Sequence, residues 1–257
     1  MKNLINIKVT GAAITGRSHL SKGTPCQDYV SHKRFNKTEA CIALADGAGS
    51  CSMSHFGAQE ATQSIIRLFS CKAVRNKIGK MDDGDLQAVI IDHVINDMSS
   101  LASRLSCSLR DLSCTLMFVY VRITSGKSQY TVGHIGDGAV FKYKQGVSSV
   151  FSSPESGEFV NETYFVTHPK AKEMIKIQKG TESTSIGFLL MSDGTEHSLL
   201  NRKTCEVGNA SNVFFKWAYE LPTYRLQNTL IKNLEEVFKL NTTDDCSIGL
   251  VYCSTGV

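Results

Sequence analysis

Four times along this chain an apolar run meets carboxylates at its end. CIALA runs into Asp46-Gly47, TVGHIG into Asp137-Gly138 and FLLMS into Asp193-Gly194, while Asp244-Asp245 opens the run CSIGLVYC. These runs are short and rich in β-branched or large apolar residues, so they read as strands. A carboxylate at the rim of a buried sheet is partly desolvated, which makes its bare charge costly. Asp-Gly after a strand is also the commonest hairpin signal, and any one of the three Asp-Gly positions taken alone reads more readily as a turn. Taken together they constrain the fold more. A sheet that gathers several carboxylates at one end needs cations to offset their repulsion, and oxygen ligands without His or Cys partners select a hard ion, Mg²⁺ or Mn²⁺.

The remaining sequence supplies elements around these strands. Ile5 to Ile14 alternates as a strand, and GRSHLSKGTPCQD reads as a polar loop. Two amphipathic helices follow the first Asp-Gly. One carries Ala58, Ala61, Ile65 and Phe69 on a single face, the other Leu86, Ile90, Val94, Leu101 and Leu105, with Asp82, Asp83 and Asp85 placed to cap its start. From Cys114, the runs TLMFVYVRI, QYTVGHI, AVFKYK and VSSVF, punctuated by SGK, GDG and KQG, predict an antiparallel meander. Residues 152–184 read as an irregular excursion with NETYFVT as its one strand, and two helical patterns, 212–221 and 224–240, precede the last strand. Strands in runs and helices in pairs give an α+β class and not a βαβ repeat. At 257 residues the chain is expected to form a single domain over residues 1–257.

Composition narrows the function classes. A formal net charge of +4 with Lys and Arg scattered along the chain argues against a nucleic-acid partner. Nine cysteines, with no CxxC pair and no zinc spacing, predict free thiols in a reducing cytosol. No segment has the length needed to cross a bilayer and no cleavable leader is evident, so a cytoplasmic protein without a membrane partner is expected.

In order, GRSHLSKGTPCQD, ALADGAGS, SCTLMF, GHIGDGAVF, LLMSDG and DDCSIGLV resemble the successive motifs of the type 2C metal-dependent serine/threonine protein phosphatases, in particular their compact bacterial branch. The resemblance runs from about Gly16 to Tyr252. It implies a sandwich of two antiparallel sheets with a helical pair on each outer face. Asp46 resembles the carboxylate that bridges two cations, and the Gly47 carbonyl resembles a further ligand. Asp193 and Asp244 resemble the ligands on the other side of the bridge, with Asp245 the alternative if the register is one residue off. Asp28 falls where the family has an acidic group near the metal-bound waters, and Asp137 where many bacterial members help hold a third, weaker cation. Asp28, Asp46, Asp193 and Asp244 are thus the expected catalytic set. A water shared by two such ions loses its proton at about pH 7, against about 15.7 in bulk, and attacks phosphorus in line. No covalent intermediate is required, consistent with the lack of a nucleophile elbow in this sequence.

The sequence departs from the family at Gly23, where many members carry an Arg that forks onto the substrate phosphate. Lys22, Arg17 or His19 are the candidates to supply that positive charge, each against the alternative of an ordinary loop residue. His19 has two readings, a residue that fixes the turn or a general acid. His134 is expected in the core, His55 at a helix start, and Cys246 as a small buried hydrophobe. The implied activity is hydrolysis of phosphoserine and phosphothreonine in proteins, with a cognate Ser/Thr kinase as the implied partner. Two other readings stand beside it: a pseudophosphatase kept as a binding module, and a hydrolase of a small phosphorylated compound.

Overall fold

The computed structural model describes residues 6–154 and 163–254. Its strands are β1 (Asn6–Ile14), β2 (Asp28–Arg34), β3 (Glu39–Asp46), β4 (Leu116–Thr124), β5 (Lys127–Ile135), β6 (Ala139–Lys144), β7 (Val147–Ser152), β8 (Lys176–Glu182), β9 (Ile186–Met191), β10 (Leu200–Asn201), β11 (Glu206–Val207) and β12 (Cys246–Ser254). Its helices are α1 (Arg17–Lys22), α2 (Ser54–Ser70), α3 (Lys72–Lys77), α4 (Asp83–Leu105), α5 (Ala171–Met174), α6 (Asp193–Glu196), α7 (Ala210–Glu220), α8 (Thr223–Asn233) and α9 (Lys239–Asn241), with a π-helical turn at Leu234–Phe238.

Two five-stranded antiparallel sheets form the centre, ordered β1-β12-β9-β6-β7 and β2-β3-β4-β5-β8. Alternation along the strands divides the apolar side chains between three layers. Ala40, Ile42 and Leu44 of β3 pack between the sheets against Val251 and Phe188. Cys41, Ala43 and Ala45 of the same strand face α2 and α4, where Ile65, Phe69, Ile90 and Val94 lie. On the other side, Phe141, Leu189 and Leu250 meet Phe214, Phe215, Leu226 and Leu230 of α7 and α8. The α-β-β-α sandwich matches the expected class.

Several local expectations are corrected. The loop containing Arg17–Lys22 is a short helix with no buried residue, closed by Gly23 at φ 68°. The apolar face of α4 turns toward Met98 and Ala102, leaving Leu101 and Leu105 half-buried at its edge. The expected meander is divided: β5 pairs with β4 and β8, whereas β6 pairs with β7 and β9 in the other sheet. Within 152–184 the chain makes β8, an edge strand that the sequence reading missed. The strand expected at NETYFVT is not seen from Thr163 onward, apart from a single bridge at Thr163, and its first two residues lie outside the described ones.

Candidate metal centre

None of the three Asp-Gly steps is a hairpin. Asp46-Gly47 leaves β3 toward α2, Asp137-Gly138 crosses from one sheet to the other, and Asp193 ends β9 by opening α6. All three strands release their aspartates at the same end of the sandwich, and Asp244 enters that end from the loop ahead of β12. There, a cavity of about 350 Å³ is lined by Asp46, Gly47, Asp137, Asp193, Asp244, His19 and Lys22.

Backbone bonds fix Asp46. Its N–H donates to Thr115 Oγ1 at 2.9 Å and its carbonyl accepts from Thr115 N at 2.8 Å. Gly47 forms a bridge with Cys114 whose bonds are made by the flanking residues Asp46 and Ala48, so the Gly47 carbonyl is not consumed by it. Asp137 accepts from Thr163 Oγ1 at 2.6 Å. Glycine brings the remaining segments close, because a Cβ on Gly16 would collide with the Asp244 carbonyl and one on Gly194 with the Asp245 carbonyl.

Electrostatics are dominated by like charges. Asp28 pairs directly with Asp46 in the β2–β3 ladder. It is buried, and neither carboxylate oxygen has a hydrogen-bond partner. Burial pushes its carboxyl up to about 7; the Ser192 and Ser247 hydroxyls pull it back, while Asp245 and Asp193 add to the rise. Asp46 is pushed well above the usual range by burial first, then by Asp28, Asp193, Asp137 and Asp244. Asp193 is raised by burial and by Asp137 and Asp244, and its Oδ1 is buried without a partner. Among the described residues no three His, Cys, Asp or Glu side chains form a preformed metal cage. Mg²⁺-type sites need few carboxylates, because water and substrate oxygens complete the shell. The orphaned oxygens and the all-oxygen donor set fit such an ion.

The expected residues divide clearly. Asp46, Asp137, Asp193 and Asp244 line one cavity, and Asp28 lies buried behind Asp46. Asp245 turns away: its carboxylate accepts from Gly16 N at 2.6 Å and Gln27 N at 2.5 Å and contacts His19 Nδ1 at 2.9 Å. That bond to a carboxylate, rather than to the backbone, holds the His19 ring at the cavity wall. Lys22 lines the cavity too, but Arg17 does not, since its Nε donates to the Thr242 carbonyl at 3.0 Å and the side chain stays exposed. His134 is buried with Nδ1 2.7 Å from Ser152 Oγ, and His55 stacks on Phe56 in the first turn of α2. One residue was missed. Arg202, in the β10–β11 turn, forks onto the buried Glu196 at 2.6 and 3.0 Å and reaches the Asp137 carbonyl at 3.4 Å, which brings a fixed cation beside Asp137 and Asp193.

Comparison with known proteins identifies the family. Residues 15–235 match the family model described as protein phosphatase 2C. Serine/threonine-protein phosphatase 3 of Escherichia coli (strain K12) is 25% identical over 194 residues, covering 74% of each chain. The catalytic domain of the serine/threonine protein phosphatase PstP, in complex with two manganese ions, superposes with a TM-score of 0.60 at 14% identity over 97% of this chain and 99% of that one. RsbX in complex with magnesium gives 0.60 at 16% identity over 96% of each. The family match covers most of the sequence, from the α1 motif to the helical layer beyond β11, and on that ground this chain belongs to the protein phosphatase 2C family.

Proposed function

We propose that this phosphatase hydrolyses phosphoserine and phosphothreonine in proteins at the aspartate-lined cavity, using two divalent cations, Mg²⁺ or Mn²⁺, held by Asp46, Gly47, Asp193 and Asp244. A third, weaker cation belongs beside Asp137. The observation that carries this reading is the gathering of four carboxylates around one cavity with Asp28 unpartnered behind Asp46. The manganese bound by PstP and the magnesium bound by RsbX point to the same class of ion.

When bound, the cations lower the pKa of water and offset the charge of the phosphoryl group. The chain's own residues do the rest. Asp46, clamped by Thr115, fixes the centre on the rigid end of β3. Asp28, buried beside Asp46 with neither oxygen hydrogen-bonded, would be free to orient the water held at the centre. His19, oriented through Nδ1 by Asp245, and Lys22 stand at the wall where a substrate phosphate enters, and they replace the arginine absent at Gly23. Lys22 supplies a point charge and no bidentate fork. The chain acts as a single catalytic domain in the cytoplasm, opposing a cognate Ser/Thr kinase. No helix among the described residues is long and apolar enough to cross a membrane.

The test is phosphate release from a phosphothreonine peptide. Activity with Mn²⁺ that vanishes after EDTA and dialysis and returns on adding Mn²⁺ is the expected outcome. Full activity of the chelated protein would exclude the reading.

A further inference from the structure

A second cavity, with a mixed apolar and basic lining, is at the other end of the β2-β3-β4-β5-β8 sheet. It encloses about 370 Å³ between α3, the α3–α4 link and strands β4, β5 and β8. Glu39, buried behind it, begins β3, and Asp46 ends that strand, so this cavity and the metal centre are separated by about 20 Å along the strand. Its wall carries Arg75, Lys80, Arg122 and Lys179, together with the phenol rings of Tyr120 and Tyr130, and no carboxylate.

Two carboxylates nearby serve three of these four cations. Glu39 is shared by both arginines, with Arg122 Nε at 2.7 Å and Arg75 Nε at 3.4 Å, and it also accepts from Tyr120. Asp83 pairs with Lys179 at 2.9 Å from the exposed start of α4. Arg75 is buried, yet its Nε makes no hydrogen bond, while Nη1 is held by the carbonyls of Phe69 and Ser70. Lys80 makes no ion pair among the described residues. Two guanidinium and two ammonium groups that share only Glu39 and Asp83 leave this wall with an excess of positive charge, which suits a multiply charged anion. Its size is that of a small-molecule pocket, and the two rings give an organic body something to lie against.

We propose that this cavity is a binding site for a small phosphate-bearing anion, separate from the metal centre and occupied without being cleaved there. Arg75 and Arg122 contact the phosphate oxygens, and Lys80 and Lys179 close the anion from the opposite wall. The shared chemistry is the phosphate dianion, which either inorganic phosphate or a phosphate monoester supplies.

The experiment is isothermal titration of the full-length, Mn²⁺-loaded protein with two probes, inorganic phosphate and the non-hydrolysable phosphonate analogue of adenosine monophosphate. Lys80→Glu and Thr181→Glu reverse or add charge at exposed positions of the wall that support no described contact, so neither should unfold the chain. Circular dichroism and basal turnover on a phosphothreonine peptide check that. Each substitution should weaken one or both probes by about tenfold, whereas Asp46→Asn should leave this binding unchanged. Tighter binding of the analogue assigns the site to a monoester, and equal binding of phosphate assigns it to the free anion. Absence of any binding at millimolar probe, binding insensitive to both wall variants, or binding abolished by Asp46→Asn would overturn the proposal.

Discussion

Asp28 and Asp46 occupy directly opposed positions of the antiparallel β2–β3 pair, two carboxylates where a stable ladder places complementary side chains. Like charges in that relation destabilise a sheet, and here both are also desolvated. The fold keeps an arrangement that only a cation or a proton relieves.

Replacing Asp46 or Asp193 by Asn removes one unit of ligand charge and one source of repulsion. Turnover on a phosphothreonine peptide should fall by at least about a hundredfold. The metal-free variants should unfold at the same temperature as the parent or higher. Calorimetry beside phosphate release checks both, and a variant that loses its circular dichroism spectrum would show that the carboxylate is structural.

The metal-free protein should gain stability from Asp28 as pH falls. Its carboxyl titrates near 7 in the fold against an ordinary 3.8, so the folded state holds the proton more tightly. This contribution is complete below about 3.8 and is lost as pH rises through about 7. Buried His134, held down at about 4, acts in the opposite sense, losing stability as pH drops below 6.5. Comparison with Asp28→Asn isolates the first effect. Between pH 7 and pH 4, urea midpoints of the parent should rise relative to those of the variant, and parallel curves would remove the assignment.

Asp137→Ala tests the outer position. Because Asp137 joins two sheets and does not close a hairpin, its loss should spare tight two-ion binding and reduce turnover. Titration with Mn²⁺ beside steady-state kinetics decides it, and parental turnover at saturating Mn²⁺ would return Asp137 to a purely structural role.

Glu39 should matter to stability and not to chemistry. Burial pushes its carboxyl up, but hydrogen bonds from Tyr120, Arg122 and Asn36 outweigh that and hold it down at about 2. Glu39→Gln strands Arg75 and Arg122 without a counterion, at a cost of about 3 kcal/mol. Thermal unfolding should register the loss, while Mn²⁺ affinity stays that of the parent.

Asp46, Asp137 and Asp193 were legible because each follows a run too apolar to be anything but strand, and Asp244 because it stands just ahead of one. Which sheet each strand joins was not, since alternation fixes a face and leaves the partner open. For that reason GHIGDGAV read as one hairpin while its two halves belong to different sheets. Edge strand β8 escaped notice because KIQKGTE offers the core only Ile177. The RSHLSK helix hid because it buries nothing, and Arg202 because the two-residue strands around it carry no periodicity. Asp244 and Asp245 are adjacent in sequence but face different surroundings, and the three donors that hold Asp245 come from residues 16, 19 and 27.

That last set of bonds joins the beginning of the chain to its final strand. Gly16 and Gln27 meet Asp245 across more than two hundred residues, and Gly16 has no room for a side chain against Asp244. During translation, therefore, α1 with His19 and Lys22 lacks its Asp245 anchor until the start of β12 has left the ribosome. A nascent chain carries Asp46, Asp137 and Asp193 without the segment that completes their surroundings. Until β12 is made, the chain lacks both Asp244 and the carboxylate that seats α1, so its aspartate-lined cavity is incomplete.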